Sequence, residues 1–440
     1  MESCNSDERI LSVSDNKTQS EFLTDLSSQD KPWDKNKAFS GDMVLMLSQS
    51  ESKAHRKHGV RIGECAQNLE FGWVLVSTET GETKLRLKLA RFCRVRYCPV
   101  CQWRRALMWV SRFFDAFPRI YAAYPDMRYV MLTLTVRNCS TKDLRSTVNQ
   151  MSKAWERLTK RKNYPASGFV RSLEVTPEKD LYENSKGEKS DTPKRGYSLI
   201  RKARPDYCHP HYHILLAVPP SYFGKNYLSK DDWAALWQDA MRLDYKPVCD
   251  VRIVKPRKDK EPVLVEGMVI PDTIPDPMKV LMSAITETIK YTTKPADMVK
   301  EKSWLFEMVD QMRNVRSVAL GGIFKQFLKE TETEQDLITA AETEADKAIK
   351  NEGGVHFTFV GKIKRYKRFY PVSASPSEEN PEIVEARRSD LSRLAQQAVA
   401  RLNDFEANVQ PEENVETVEA MRIELKNAAV KALERVNQFG

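Results

Sequence analysis

Apolar and polar residues are arranged in two similar series of segments between residues 128 and 255. Strand-like stretches rich in β-branched and aromatic residues enclose segments whose apolar residues recur at the spacing of a helix face. In each series the order is strand, helix, strand. The predicted elements are 128–136, 141–158 and 168–176 in the first series, and 209–218, 229–243 and 247–255 in the second.

This β-α-β-β-α-β order is typical of an antiparallel sheet with helices on one face, as in ferredoxin-like α+β domains. The helix at 229–243 has a capping signal in Ser229 and Asp232, and its apolar stripe predicts packing against the core. Two polar stretches, 177–208 and 256–276, are expected to be insertions that leave the order unchanged.

The two ends of the chain have a different character. Residues 1–52 are rich in Ser, Asp, Asn and Lys without periodicity, which predicts a disordered leader. The C-terminal region contains amphipathic stretches at 391–405 and 418–436, which predict a helical tail. We therefore divide the chain into a leader (1–52), a basic cysteine-rich segment (53–115), a main α+β domain (116–330), and a basic strand segment with a helical tail (331–440).

Composition narrows the class of protein. The 440 residues are 41% hydrophobic, and no run of about 18 apolar residues occurs, so a membrane span is not expected. The N-terminal residues MESCNSDERI lack the basic end and apolar core of a secretory signal. These features predict a cytoplasmic protein in a reducing environment.

Positive charge is concentrated in a few clusters. Lys and Arg number 70 against 61 Asp and Glu, a net charge of +9. Any one cluster is equally well explained as a solvated surface, but several basic clusters together favour a nucleic-acid partner, because they attract phosphate backbones. The basic clusters are 53–62, 91–105, 157–162 and 362–368, and acidic residues dominate 329–347 and 378–386.

Three of the 8 cysteines lie close together, as Cys93-x4-Cys98-x2-Cys101. In a reducing compartment this spacing favours a structural zinc site over disulfides, because thiolates bind Zn²⁺ tetrahedrally. Cys65 is the preferred fourth ligand, with His58 or His55 as alternatives, and buried cysteines without a metal are the alternative interpretation. The flanking arginines would then contact a DNA backbone; they are Arg94, Arg96, Arg104 and Arg105.

Three of the six histidines fall within five residues, as His209, His211 and His213. On a strand, alternate side chains share a face, so His211 and His213 can bind one divalent ion, and His209 near the same edge is a further candidate ligand. Glu174 on the preceding predicted strand is the expected carboxylate ligand, although an exposed strand glutamate is the alternative. Such a site leaves positions open for water and substrate oxygens.

A helix is predicted over 276–294, with Pro277 in its first turn and Pro295 after its end. Glu287 and Tyr291 are four residues apart and share a face, with Lys290 adjacent. A tyrosine can attack phosphorus, and a carboxylate can activate water. An ordinary surface tyrosine is the alternative on this helix alone.

Together these stretches resemble the HUH endonucleases, most closely the single-tyrosine replication initiators of plasmids that replicate by rolling circle. Three motifs occur in the family's order: MLTLTVRN at 131–138, HPHYHILLAV at 209–218 and ETIKYTTKPAD at 287–297. Similar stretches cover about residues 60 to 330.

The resemblance implies that residues 116–330 form an HUH nickase domain. Tyr291 would be the nucleophile, His211 and His213 would bind Mg²⁺ or Mn²⁺, and Glu287 would activate water for the terminating cleavage. Family members nick one strand of the double-strand origin, keep the 5′ end on tyrosine, and leave a 3′-hydroxyl primer. After a second cleavage the strand is rejoined. The implied partners are origin DNA, both double-stranded and exposed single-stranded, and a host helicase and DNA polymerase.

Two other functions remain as alternatives. A transposase or relaxase would share the chemistry, although the chain has no paired tyrosines of the kind common in relaxases and no phosphate-binding loop of a helicase. A non-catalytic zinc-dependent DNA-binding regulator would bind the origin without forming a covalent adduct.

Overall fold

The computed structural model describes residues 21–75, 83–224, 226–255, 276–289, 293–340, 342, 352–369 and 423. Two compact units are present, Met1–Arg368 and Phe369–Gly440. Apart from Ile423, the tail helices predicted at 391–405 and 418–436 lie outside the described residues. No helix in the described ranges is both long and apolar enough to cross a membrane.

Eleven helices are assigned in the described part of the first unit. They are α1 (Leu23–Leu26), α2 (Lys31–Ser48), α3 (Lys53–Glu64), α4 (Pro99–Ala123), α5 (Leu144–Thr159), α6 (Lys230–Met241), α7 (Asp276–Thr288), α8 (Pro295–Met298), α9 (Lys302–Gln311), α10 (Ile323–Phe327) and α11 (Glu334–Ile338). Short 3₁₀ turns occur at Ser28–Asp30, Thr141–Asp143 and Pro220–Phe223.

The strands form three sheets. They are β1 (Asn68–Leu75), β2 (Thr83–Ala90), β3 (Arg128–Thr135), β4 (Cys139–Ser140), β5 (Gly168–Pro177), β6 (Leu181–Asn184), β7 (Lys189–Ser190), β8 (Tyr197–Arg201), β9 (Tyr207–Val218), β10 (Cys249–Ile253), β11 (Val318–Gly322), β12 (Glu352–Val360) and β13 (Arg365–Phe369).

The main sheet has the order β10-β3-β9-β5-β11, and β4 pairs with the start of β9. Every pairing in it is antiparallel. This confirms the predicted α+β class with a central antiparallel sheet, and the six predicted elements differ from the observed ones by only a few residues at each end. The predicted insertion at 177–208 contains the small sheet β7-β6-β8.

Helices cover both faces of the main sheet, whereas the sequence predicted helices on one face. On the first face, Tyr212 of β9 packs against Trp237 of α6 and bonds to Ser152 of α5. On the opposite face, Tyr129 of β3 packs against Phe117 of α4. Because both faces of β3, β5 and β9 are largely buried, each needs a covering layer.

The second sheet, β13-β12-β1-β2, joins two distant parts of the chain. The α2 helix packs beside it through Trp33, which is 1% exposed and contacts Phe71 and Tyr366. The prediction of a disordered leader over 1–52 is therefore wrong for Lys31–Ser48. The few apolar residues of this segment do not show a regular stripe in the sequence, but they are bulky enough to be held by burial.

Among the described residues the longest helix is α4, which connects the main sheet and the second sheet. Its 25 residues span about 37 Å. Trp103 near its start contacts Trp33; further along, Phe117 contacts Tyr129 on the main sheet's second face, and Phe113 contacts Phe324 of α10. The division proposed between residues 115 and 116 falls inside this helix.

Candidate functional site

Three predicted metal ligands meet at the middle of the main sheet. Glu174 of β5 lies directly opposite His211 of β9, and His213 lies opposite Ser172. Paired residues of an antiparallel sheet project to the same face, so the three side chains converge. They lie on the face that α7 covers, since Thr288 of that helix contacts Met131 two positions before Thr133, the partner of His213.

The ligand atoms form a compact triangle. Nε2 of His213 lies 2.8 Å from Oε2 of Glu174 and 3.1 Å from Nε2 of His211, and the third side, from Nε2 of His211 to Oε2 of Glu174, is 3.3 Å. One face of an octahedron around Mg²⁺ or Mn²⁺, with bonds of about 2.1 Å, has edges of about 3.0 Å. The three residues therefore fit a divalent ion that keeps further coordination positions open.

The protonation pattern supports the same arrangement. Nδ1–H of His211 donates to the carbonyl oxygen of His209 at 3.2 Å, so the lone pair of Nε2 faces the triangle. Although burial opposes ionisation of Glu174, hydrogen bonds and charge from His211 and His213 hold its pKa well below the usual range. Glu174 is thus a carboxylate, as a metal ligand must be.

His209 is not part of the triangle, although the sequence placed it near the same edge. Its Nδ1–H donates to Oδ1 of Asn138 at 2.8 Å, and Nδ2 of Asn138 donates to Oε1 of Glu178 at 2.9 Å. Glu178 has a fully buried side chain that pairs with Arg204 at 2.8 Å. Burial lowers the pKa of His209 to about 4. This chain of contacts orients His209 beside the triangle.

Sequence reasoning missed Asn138 and Glu178. Glu178 directly follows β5, and Asn138 lies between the end of β3 and the start of β4, so both lie at strand ends beside the candidate site. Polar residues at strand ends are a general signal for functional positions. That signal was available within the motif at 131–138.

Glu287 lies in the last turn of α7 and pairs with Arg252 of β10 at 3.3 Å. Arg252 also pairs with Asp250 at 2.8 Å, so it bridges the helix end and the sheet edge. Sequence reasoning did not single out Arg252. The predicted nucleophile Tyr291 and the adjacent Lys290 lie outside the described residues.

The four predicted zinc ligands also come together. Sγ of Cys101 lies 3.5 Å from Sγ of Cys65 and 3.7 Å from Sγ of Cys93, and all four sulfur atoms, including that of Cys98, lie within 4.8 Å of one another. A tetrahedral zinc site with bonds of about 2.3 Å has sulfur separations of about 3.8 Å. The cluster therefore fits Zn²⁺ with all four positions filled.

Surrounding groups also suit bound thiolates. The backbone N–H of Cys93 donates to Sγ of Cys65, and that of Val95 donates to Sγ of Cys93, both at 3.4 Å. The buried ammonium of Lys37 donates to the carbonyl oxygen of Cys65 at 2.6 Å. Neither alternative histidine joins this cysteine cluster, and His55 instead bonds to Ser50 and Asp310.

The arginines that flank the cluster separate into two groups. Arg94 is exposed, and Arg96 and Arg105 are half-buried beside a cavity. Arg104 is only 4% exposed, and it donates to the carbonyl oxygens of Leu337 and Ile338. The prediction that Arg104 contacts DNA is therefore wrong, because its guanidinium group is buried and bonds to backbone carbonyl oxygens.

Comparison with known families decides the class of this chain. Residues 84–367, well over half of the 440, match the family described as replication protein. The chain belongs to the replication protein family. This confirms the predicted relationship to plasmid replication initiators of the rolling-circle type, and it assigns the chain to plasmid replication.

Relatives of this replication family member come from several bacteria. A protein named Protein rep from Bacillus amyloliquefaciens is 32% identical over 286 residues, covering 62% of this chain and 73% of the relative. Proteins of the same name from Streptococcus pneumoniae and Lactiplantibacillus plantarum are 30% and 29% identical, covering 61% and 72% of this chain and 70% and 87% of theirs. No solved structure gives a significant match.

Proposed function

We propose that the chain nicks one strand of a plasmid double-strand origin through a covalent tyrosine intermediate and so starts rolling-circle replication in the cytoplasm. The observation that carries this proposal is the convergence of Glu174, His211 and His213 on one face of the main sheet. The strand order β10-β3-β9-β5 supports assigning residues 116–330 to a ferredoxin-like HUH domain. In this order, the two β-α-β series interleave.

The Glu174, His211 and His213 triangle would hold Mg²⁺ or Mn²⁺. A divalent ion there would neutralise charge on the scissile phosphate and orient it for in-line attack. The protein supplies the rest of the preorganisation, because its central strands hold the ligands without rearrangement. His209, fixed by Asn138, lies beside the triangle, where it orients His211 through its backbone carbonyl.

In the nicking step, the Tyr291 oxygen forms a bond to phosphorus while the bond from phosphorus to the 3′ oxygen breaks. The tyrosine gives up its proton to solvent, and the leaving 3′ oxygen takes up a proton from solvent, so that it becomes a hydroxyl that serves as a primer. The 5′ end stays on Tyr291 as a phosphodiester. Since the number of phosphoester bonds is unchanged, the strand can later be rejoined without ATP.

Termination requires a second cleavage, which we assign to water activated by Glu287. Its carboxylate is one-third exposed and pairs with Arg252, which holds it at the end of α7. Tyr291 is four positions further along the chain, the spacing at which two residues share one face of a helix. A carboxylate in this position would accept a proton from water as the water attacks phosphorus.

The cysteine cluster is proposed to hold a structural Zn²⁺ beside the origin-binding surface. Arg94, Arg96 and Arg105 would contact phosphates of double-stranded and exposed single-stranded origin DNA, together with Lys290. A host helicase would unwind the nicked strand, and a host DNA polymerase would extend the 3′-hydroxyl.

The test is to incubate the full chain with Mn²⁺ and labelled single-stranded oligonucleotides that tile the candidate origin, and then to resolve the products on a denaturing gel. We expect one oligonucleotide to give a slowly migrating covalent band and a shorter product with a free 3′ end. Tyr291→Phe should give neither product. Tyr121→Phe, which changes an exposed tyrosine of α4 outside the candidate site, is the control.

Absence of the covalent band from every tile, with Mn²⁺ present and tight binding retained, would refute the nickase proposal. That result would favour a DNA-binding regulator instead. An adduct that persists in Tyr291→Phe would move the nucleophile to another residue while leaving the reaction class unchanged.

A further inference from the structure

A cavity of about 720 Å³ lies between the cysteine cluster and the main sheet. This volume is within the range of small-molecule sites. Six parts of the chain form most of its wall: α3, the turn after Cys93, one side of α4, the end of α9, the stretch leading into β11, and residues 330–332 after α10. The apolar residue Ile289, which directly follows α7, completes the lining.

The cavity is strongly cationic. Six arginines and two glutamates line it, an excess of four positive charges: Arg61, Arg94, Arg96, Arg105, Arg313 and Arg316, with Glu330 and Glu332. Arg105 pairs with Glu332 at 2.7 Å, and Arg316 pairs with Glu330 at 3.3 Å. Within the described ranges, the other four arginines form no ion pair with a carboxylate.

Arg96 is a half-buried cation that forms no ion pair with a carboxylate among the described residues. Its guanidinium donates to Oγ of Ser317 at 3.1 Å. Burial and the neighbouring charge of Arg105 lower the pKa of Arg96. An anion placed between these two guanidinium groups would offset both effects.

The cavity also lies beside the Glu174, His211 and His213 triangle. Val318, a lining residue on β11, pairs directly with Ser172 of β5, which pairs with His213 of β9. These three residues share one face of the sheet, and two strand spacings separate Val318 from His213 by about 10 Å. On the other side, Ile289 lies two residues from both Glu287 and Tyr291 along the chain.

We infer that this cavity binds a phosphodiester group, with its attached nucleotide, of the same DNA strand whose scissile phosphate lies at the triangle. The inference rests on the proposed nicking function and adds a second subsite for that strand. The half-buried Arg96 and Arg105 contact the phosphate from inside the cavity, the exposed Arg61 and Arg313 contact it from the rim, and Arg94 guides the strand towards it. The subsite thereby fixes the register of the strand at the nick.

A chemical double-mutant cycle tests the inference with the full chain in buffer without Mg²⁺, Mn²⁺ or chelator, where no cleavage is expected and zinc in the cysteine cluster is retained. The probes are labelled single-stranded oligonucleotides across the nick position, each with one neutral methylphosphonate linkage. Affinity is measured by fluorescence anisotropy for wild type, Arg313→Gln and Arg61→Gln. The control is Arg119→Gln, an exposed arginine of α4 that does not line the cavity.

We expect one or two linkages at which methylphosphonate weakens binding to wild type about fivefold. At those linkages Arg313→Gln or Arg61→Gln should add little further loss, because the same contact is already missing. Arg119→Gln should keep the full methylphosphonate effect. Arg313→Lys should restore part of the affinity. Since Arg61 and Arg313 lie on separate elements, one of the two variants remains informative if the other does not fold.

The inference is overturned if the two changes act independently at every linkage, and a covalent adduct formed by the same protein would then leave the nicking proposal intact. Conversely, coupling without any adduct would support the subsite and refute nicking. A titration with free thymidine monophosphate tests whether the cavity binds a free nucleotide instead of a phosphodiester group of DNA. Tight binding of this free nucleotide that Arg313→Gln abolishes, without coupling on DNA, would also overturn the inference.

Discussion

The two candidate metal-ligand groups of this chain differ in the number, type and arrangement of their ligand atoms. The cysteine cluster offers four sulfur atoms, fills a tetrahedron, and lies between α2, α4 and the second sheet. The Glu174, His211 and His213 triangle offers three ligand atoms on one side and leaves the other side open. A closed site stabilises a fold, whereas an open site can bind a substrate oxygen.

The comparison teaches that charge balance as well as ligand number separates the two centres. Four thiolates around Zn²⁺ carry a net negative charge, and the buried ammonium of Lys37 lies beside them. The triangle has one carboxylate and two neutral imidazoles, so a divalent ion there keeps positive charge. That residual positive charge would attract a phosphate group. A purely structural site binds no such ligand and has no need of the charge.

The largest effect is expected from a substitution that removes one ligand of the Glu174, His211 and His213 triangle, here called the open centre, and leaves the cysteine cluster, the closed centre, unchanged. His213→Ala should lower the nicking rate by roughly 10³-fold or more, because the ion would lose one of the two histidine ligands that β9 supplies. The melting temperature should change by less than about 3 °C. Rates on a labelled origin oligonucleotide and thermal unfolding are measured in parallel.

His356→Gln, a histidine outside both centres, is the control and should keep the wild-type rate. A large fall in melting temperature for His213→Ala would mean that the triangle is structural, which would remove the contrast between the two centres.

A substitution in the cysteine cluster should instead lower the stability of the fold. Cys101→Ser should reduce bound zinc, measured by mass spectrometry, and lower the unfolding free energy by about 3–5 kcal/mol. For a chain of this size the melting temperature should fall by about 5–15 °C. Cys249→Ser, which changes a buried cysteine outside the cluster, should keep the zinc. A Cys101→Ser protein with full zinc content and normal stability would contradict the assignment.

The contribution of the buried carboxylate of Glu178, which lies near the triangle, to the unfolding free energy should depend on pH. The hydrogen bond from Arg204 lowers the pKa of Glu178 to about 2, against about 4.3 in an unfolded chain. Its contribution to stability, about 3 kcal/mol, is therefore present above pH 4.3 and is lost as the pH falls towards 2. Urea unfolding at several pH values measures it.

Glu178→Gln should be less stable than wild type at pH 7, and the difference should vanish near pH 2. Glu188→Gln, at the exposed turn after β6, should follow wild type throughout. A constant difference between Glu178→Gln and wild type at all pH values would show that packing, rather than charge, explains the loss.

The smallest expected effect concerns the support of the open centre. Asn138→Ala removes the contact that orients His209, so the Mn²⁺ concentration for half-maximal nicking should rise about tenfold. The maximal rate should change less, a division that partial unfolding would not produce. Asn163→Ala, at an exposed loop position, is the control. An unchanged metal dependence would mean that His209 does not influence the triangle.

The sequence predicted the main sheet well because its information is local. The strands at 128–136, 168–176 and 209–218 have their own periodicity, and alternation along β9 alone placed His211 and His213 on one face. It could not predict that Asn138 holds His209 away from the triangle, because that contact depends on how two strand ends meet. Likewise, Arg104 has the same type as its neighbours in the motif, and only tertiary packing buries it.

The second sheet could not be predicted from local pattern at all. Its strands β1 and β12 are recognisable only once they pair, and the helix α2 owes its order to Trp33. Tertiary contacts of this kind override weak local propensity. The division of the chain into 53–115 and 331–440 remains a proposal, although these two segments contribute strands to the same sheet.

The pairing of β1 with β12 has a consequence for synthesis of the chain. Thr358 bonds to Asn68, 290 residues earlier. At about 5–20 residues per second, a ribosome needs roughly 15–60 s between these two strands. During that interval one edge of β1 is an unpaired template for other chains. Folding of the second sheet must therefore wait until β12 has emerged, so a chain released before residue 352 is expected to aggregate rather than to fold.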